Sequence, residues 1–184
     1  MRFVALLRGI NVGKSIQVPM KELKCIFEQI GFLNVVTYLN SGNVIFNSID
    51  NKNTVTDKIN YELELKFGKI IPTLIKTSDE IELIRSAIPN DWENDKTQQT
   101  YIAYLFNDVA RPELINELPI KKQYIDIRYA YEAIIWNIKR ENYNKSQINK
   151  IINHPSYFRM TTRNVNTARK LAELSKEKDE EKSV

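Results

Sequence analysis

The stretch "LLRGINVGKSIQVPM", Leu6 to Met20, has two readings that lead to different folds. The apolar run Phe3-Val4-Ala5-Leu6-Leu7 before it reads as a buried strand, and a Gly-Lys-Ser follows. A P-loop would sit at such a place, but it needs four residues between its first glycine and the Gly-Lys pair. Here only Ile10, Asn11 and Val12 separate Gly9 from Gly13, and Arg8 stands where the spacing asks for glycine. A P-loop lysine also opens a helix whose N–H groups hold the phosphate. After Ser15 the chain instead reads Ile16-Gln17-Val18-Pro19, an extended stretch, and the helix pattern begins only at Pro19. The spacing therefore argues against a nucleotide hydrolase. Lys14 is expected to be dispensable for any nucleotide binding.

Outward from that loop the periodicity is mixed. Met20, Leu23, Ile26, Phe27 and Ile30 recur at helical spacing, and Gly31 suits the helix end. "NVVTYL" and "VIFNS" read as strands of a hairpin with Asn40-Ser41-Gly42-Asn43 as its turn. A helix over about 54–67 and the strand "IIPTLIKT" complete the order β-α-β-β-α-β. Ser78 or Asp79 is expected to cap a helix reaching Ile88, followed by the acidic linker "PNDWEND". The same order then recurs. "TYIAYLF" is a strand, "RPELINEL" a short helix, and "YIDIRYAY" and "AIIWNIKR" are strands joined near Glu132. "NKSQINKII" is a helix, "YFRM" an extended piece, and a last helix is predicted from about Arg163, with Val165, Ala168, Leu171, Ala172 and Leu174 facing the core.

This order predicts an α+β protein of two ferredoxin-like β-α-β-β-α-β subdomains in tandem, with a connecting helix and a C-terminal helix. The predicted divisions are 1–77, a connecting helix and linker over 78–99, a second subdomain over 100–175 with the last helix, and a charged tail over 176–184. A single cysteine, Cys25, excludes an internal disulfide and fits a reducing cytoplasm. No apolar run reaches the roughly 18–20 residues of a membrane span. Charge is segregated: net +3 over 1–48, −4 over 49–138, +7 over 139–170 and −2 over the last fourteen residues. Two basic regions suggest an acidic partner if they meet in space.

The blocks "LLRGINVGKSIQVPMKELK", "GFLNVVTYLNSGNVIF" and "TTRNVNTARKLAEL" resemble those of a bacterial family known as domain of unknown function 1697. The resemblance spans nearly the whole chain. It differs at Lys14, where the family more often has glycine, and at Val165, where an aromatic is usual. It supports the fold and marks positions, and implies no reaction and no cofactor.

The candidate ligand-binding residues are Arg8, Gly9, Asn11, Gly13, Ser41, Asn43, Arg163 and Asn164. Each has a structural alternative. Arg8 can pair with an internal carboxylate, and Asn and Gly serve turn backbones. Arg163, placed in a helical first turn, would sit against the positive end of the dipole unless an anion joins it. The lone His154 lies in a turn, Cys25 has no visible activating partner, and no Cys/His cluster offers metal spacing. Catalytic residues are thus not legible. Two functions remain open. One is a basic cleft for a small anionic or nucleotide-like ligand. The other is a nucleic-acid-binding module, although the basic-Gly-aromatic strand motif of RNA-recognition sheets is missing. The oligomeric state is not legible.

Overall fold

The computed structural model describes residues 1–176. The chain forms an α+β fold with two four-stranded antiparallel sheets. It divides into two compact units, one built from Met1–Ile81 with 171–176, the other from Glu82–Lys170.

In the first unit β1 (Arg2–Leu7), α1 (Met20–Gln29), β2 (Leu33–Tyr38), β3 (Asn43–Asn47), α2 (Lys52–Phe67) and β4 (Thr73–Thr77) follow in turn, and the sheet order is β2-β3-β1-β4. Strand side chains alternate between faces. Phe3, Ala5 and Leu7 of β1 join Val44, Phe46 and Ile75 against Leu23, Ile26 and Phe27 of α1 and Val55, Ile59 and Leu63 of α2. Val4, Leu6 and Ile45, on the opposite face, are buried as well. This is why β1 reads as a continuous apolar run instead of alternating. Asn51 caps α2 by accepting the Thr54 N–H at 3.0 Å, and Gly68 ends it in the left-handed region.

The next helix, α3 (Ser78–Ser86), is capped by Thr77, where Ser78 or Asp79 was expected. Thr77 Oγ1 accepts the Glu80 N–H at 3.2 Å and Glu80 Oε2 accepts the Thr77 N–H at 2.7 Å, a reciprocal capping box. Lys52 Nζ also donates to the same carboxylate, at 2.7 and 2.9 Å. Burial by itself would raise the Glu80 carboxyl, but the Lys52 and Thr77 hydrogen bonds and the nearby Lys76 charge together hold it below the usual range. A depressed carboxylate stabilises the fold above its unfolded value and loses that contribution as pH falls through its folded value. Glu80→Gln should therefore cost about 1 kcal/mol at pH 7. The gap from wild type should shrink as pH falls below the ordinary 4.5. Urea unfolding at pH 7 and pH 3 measures it; an undiminished gap at pH 3 would remove the charge from the account.

The second unit holds β5 (Gln98–Leu105), α4 (Leu114–Glu117), β6 (Asp126–Ala130), β7 (Ala133–Lys139), α5 (Tyr143–Ser146) and β8 (Met160–Asn164), with sheet order β6-β7-β5-β8. The expected tight turn holds Tyr131 and Glu132, both at positive φ. The linker stretch is pinned within this unit. Arg169 donates to Glu93 Oε1 at 2.8 Å and to the Trp92 carbonyl at 2.9 Å, and Arg128 lies over the Trp92 ring.

Three local expectations are corrected here. The helix predicted over 144–152 is replaced by the four-residue α5, a left-handed Gln147 and a 3₁₀ segment over Ile148–Asn153. Residues Pro155–Arg159, of which 157–159 were expected to be extended, form a second 3₁₀ segment. The last helix, α6 (Val165–Lys176), starts two residues later than predicted, because 160–164 pair with β5 as β8. Within α6, Ser175 is buried and its Oγ donates to the Ala172 carbonyl. The expected charged tail lies outside the described residues apart from Lys176.

Candidate functional site

The first motif forms a loop that leaves the sheet at the end of β1. Leu7 N–H donates to the Gly42 carbonyl at 2.8 Å and Arg8 N–H to the Pro72 carbonyl at 2.9 Å. Beyond them φ is positive at every second residue: Gly9 at 68°, Asn11 at 55° and Gly13 at 54°. Glycine and asparagine are the residues that enter this region at least cost.

Asn11 holds the loop together. Its Nδ2 donates to the Val18 and Asn40 carbonyls, both at 2.9 Å, and its Oδ1 accepts the Val18 N–H at 2.7 Å. Ile10 and Val18 anchor the two ends in the core, while Val12, Gly13 and Lys14 are exposed. The N–H groups of Gly9, Gly13 and Lys14 meet no intrachain acceptor among the described residues. Ser15 closes a turn onto Val12, and α1 begins only at Met20, so the Gly-Lys-Ser does not open a helix.

Asn40 ties this loop to the hairpin. Ser41 is half-buried and Asn43 fully buried. Asn43 Nδ2 donates to the Tyr38 carbonyl at 2.8 Å and to Ser41 Oγ at 3.0 Å, so its side chain shapes the turn from within. Gly42, passed over at the sequence level as an ordinary turn glycine, is the tightest point. A Cβ there would lie 2.7 Å from both Leu7 Cβ and Ile10 Cδ1.

Arg8, Gly9, Asn11, Gly13, Ser41 and Asn43 belong to the first unit, and Arg163 and Asn164 to the second. Arg163 is a strand residue, registered opposite Ile102, and its side chain is buried. The expectation that it stands in a helical first turn, opposed by the dipole, is thereby overturned: pairing with β5 prevails over the local helix-start signal. Its Nη1 donates to Thr161 Oγ1 at 2.9 Å and to the Thr162 carbonyl at 3.0 Å. Burial pulls the guanidinium down to about 10, while the neighbouring Tyr104 acts in the opposite sense. Asn164 caps α6 by accepting the Thr167 N–H at 2.9 Å.

His154 Nδ1 accepts the Ser156 N–H at 3.2 Å, a turn-capping role. Cys25 is an exposed free thiol on α1. Among the described residues no group of three or more His, Cys, Asp or Glu side chains could hold a metal ion, and no helix is long and apolar enough to cross a membrane.

Comparison with known proteins agrees with this architecture. A solved structure of the conserved bacterial protein SP0830 from Streptococcus pneumoniae matches with a TM-score of 0.81 and 26% identity, over 95% of this chain and 98% of that one. No curated protein matches the chain. The model of the family described as "Protein of unknown function (DUF1697)" matches residues 1–136, which is well over half of the length, and the chain therefore belongs to that family.

Proposed function

We propose that the protein binds a small anionic or nucleotide-like ligand, and that the loop from Arg8 to Lys14 holds its anionic group. The observation that carries this reading is the alternation of positive φ at Gly9, Asn11 and Gly13, with the N–H groups of Gly9, Gly13 and Lys14 lacking an acceptor among the described residues. Alternating backbone hands turn successive N–H groups to one side and make anion-binding concavities. Arg8 and Lys14 flank the loop with positive charge, and Asn11 fixes it by hydrogen bonds before any ligand arrives. Ser41 adds a hydroxyl near the Asn40 clamp, and Asn43 acts as the buried support of that turn. Arg163 and Asn164 have their local roles in β8 and at the start of α6, and this reading does not depend on them. We also read each unit as a ferredoxin-like sandwich, on its element order and strand order, and the protein as cytoplasmic, on its single cysteine.

The test is an amide NMR titration with inorganic phosphate and with ATP. Saturable shifts are expected at Gly9, Gly13 and Lys14. Arg8→Ala should weaken binding by about 1–3 kcal/mol, the range for hydrogen bonds to a charged group. Lys14→Ala should leave the protein folded and not abolish binding. Shifts absent from the loop would refute the reading. Strongly salt-dependent binding of single-stranded RNA, without saturable phosphate binding, would favour a nucleic-acid-binding module instead.

A further inference from the structure

The second unit leaves an aromatic pocket where the first unit has a long helix. In the first unit the 16-residue α2 lies between the third and fourth strands and covers the sheet. The corresponding segment of the second unit is broken into α5, Gln147 at a φ of 59° and three 3₁₀ segments, Arg140–Asn142, Ile148–Asn153 and Pro155–Arg159. These shorter pieces cover the sheet face incompletely. A pocket of about 240 Å³ remains over β7, β5 and β8.

Its floor is built from strand residues of one face. Tyr101 and Trp136 are direct cross-strand partners, and their rings stack at 6.0 Å between centroids and 25° between planes. Met160 and Thr162 continue the floor on β8. Ile148 and Ile151 form an apolar wall. No lysine, arginine, aspartate or glutamate lines the pocket. The side chains of Gln99, Asn149 and Thr162 line it too, and neither they nor the Trp136 indole N–H make a hydrogen bond among the described residues.

We infer that this pocket binds a neutral planar heteroaromatic ring of nucleobase size, stacked on the Tyr101–Trp136 ledge. The stacked floor favours a flat π-face over a saturated ring. The uncharged lining would leave an ionic group without a partner. Two amides and a hydroxyl offer donors and acceptors together, which suits the mixed edge of a base. The volume falls below the roughly 300–1,000 Å³ of sites that enclose drug-sized ligands, so it takes a ring and leaves any larger substituent outside. The inference stands on the second unit alone and does not rest on the anion-binding loop.

The experiment follows the indole Nε1–H resonance of Trp136 in the full chain, with Trp92 as internal control. The titrants are adenine, uracil, cyclohexanol and inorganic phosphate. A saturable shift of Trp136 with adenine or uracil is expected, and none with phosphate. Tyr101→Leu should weaken binding about tenfold, as expected for the loss of a stacking platform. Because that variant can disturb the sheet, Thr162→Val and Gln99→Ala serve beside it. Each should keep the native amide spectrum and weaken base binding by a factor of about three or more. No saturable shift with either base, equal binding of cyclohexanol, or unchanged affinity in all three variants would each overturn the inference. Phosphate binding at the Arg8 loop is scored on other resonances, so failure of one proposal leaves the other readable.

Discussion

Phe46→Ala should destabilise the first unit by about 3–5 kcal/mol, the range for truncating a buried aromatic. Phe46 is fully buried at the centre of an aromatic cluster. Its ring stacks on Phe32 at 4.5 Å and on Phe3 at 5.7 Å, and meets Phe27 edge-on at 5.2 Å. Three neighbours, from β1, the end of α1 and the turn just before β2, thus converge on one side chain of β3. Truncation removes all three contacts and leaves a void that a sheet on one side and two helices on the other cannot collapse to fill. Urea unfolding followed by signals of the first unit should show the loss. Phe46→Leu keeps most of the volume and should cost markedly less. Equal effects of the two substitutions would mean that the fit of the rings, and not the apolar volume that leucine retains, dominates at this site.

Gly42→Ala should cost about 2–4 kcal/mol, large for the addition of one methyl group. Two effects combine. The φ of 75° strains any L-residue with a side chain, by roughly 1–2 kcal/mol. The new Cβ would also lie 2.7 Å from Leu7 Cβ, which is fixed to the backbone of β1 and cannot swing away. Relief of the clash must push the hairpin turn from β1, lengthening the 2.8 Å bond from Leu7 N–H to the Gly42 carbonyl. Gly13→Ala is the control: its φ is also positive, but nothing lies within 4 Å of an added Cβ, so strain alone should remain. Parallel denaturation of the two variants separates the terms. A Gly42→Ala variant no less stable than Gly13→Ala would show that the turn moves freely.

The distinction between a P-loop and an unrelated loop was decided by the glycine spacing and by the extended stretch over 16–19 after Ser15, because phosphate cradling demands a fixed number of residues directly before a helix. The structure agrees, with α1 beginning at Met20. The strands of the first unit and the helices α1 and α2 were legible because their apolar periods are long and the glycines at their C-terminal ends, Gly31 and Gly68, carry strong local signals. The segment from Tyr143 to Asn164 was not. Asn144 to Ile152 has a helical period, yet it folds as separate short turns. Thr161-Thr162-Arg163 looks like a helix start, yet it is a strand.

Local sequence thus determined the element order, the hairpin turn and the asparagine- and glycine-rich first loop. These depend on backbone preferences of residues a few positions apart. Tertiary structure alone decided that Arg163 is buried in a strand and that Gly42 is wedged against Leu7 and Ile10. It also decided that Asn11 spends its side chain on Val18 and Asn40, and that Tyr101 meets Trp136. Each of these joins residues distant in sequence, where strand register and packing outweigh the fraction of a kcal/mol by which local propensities differ.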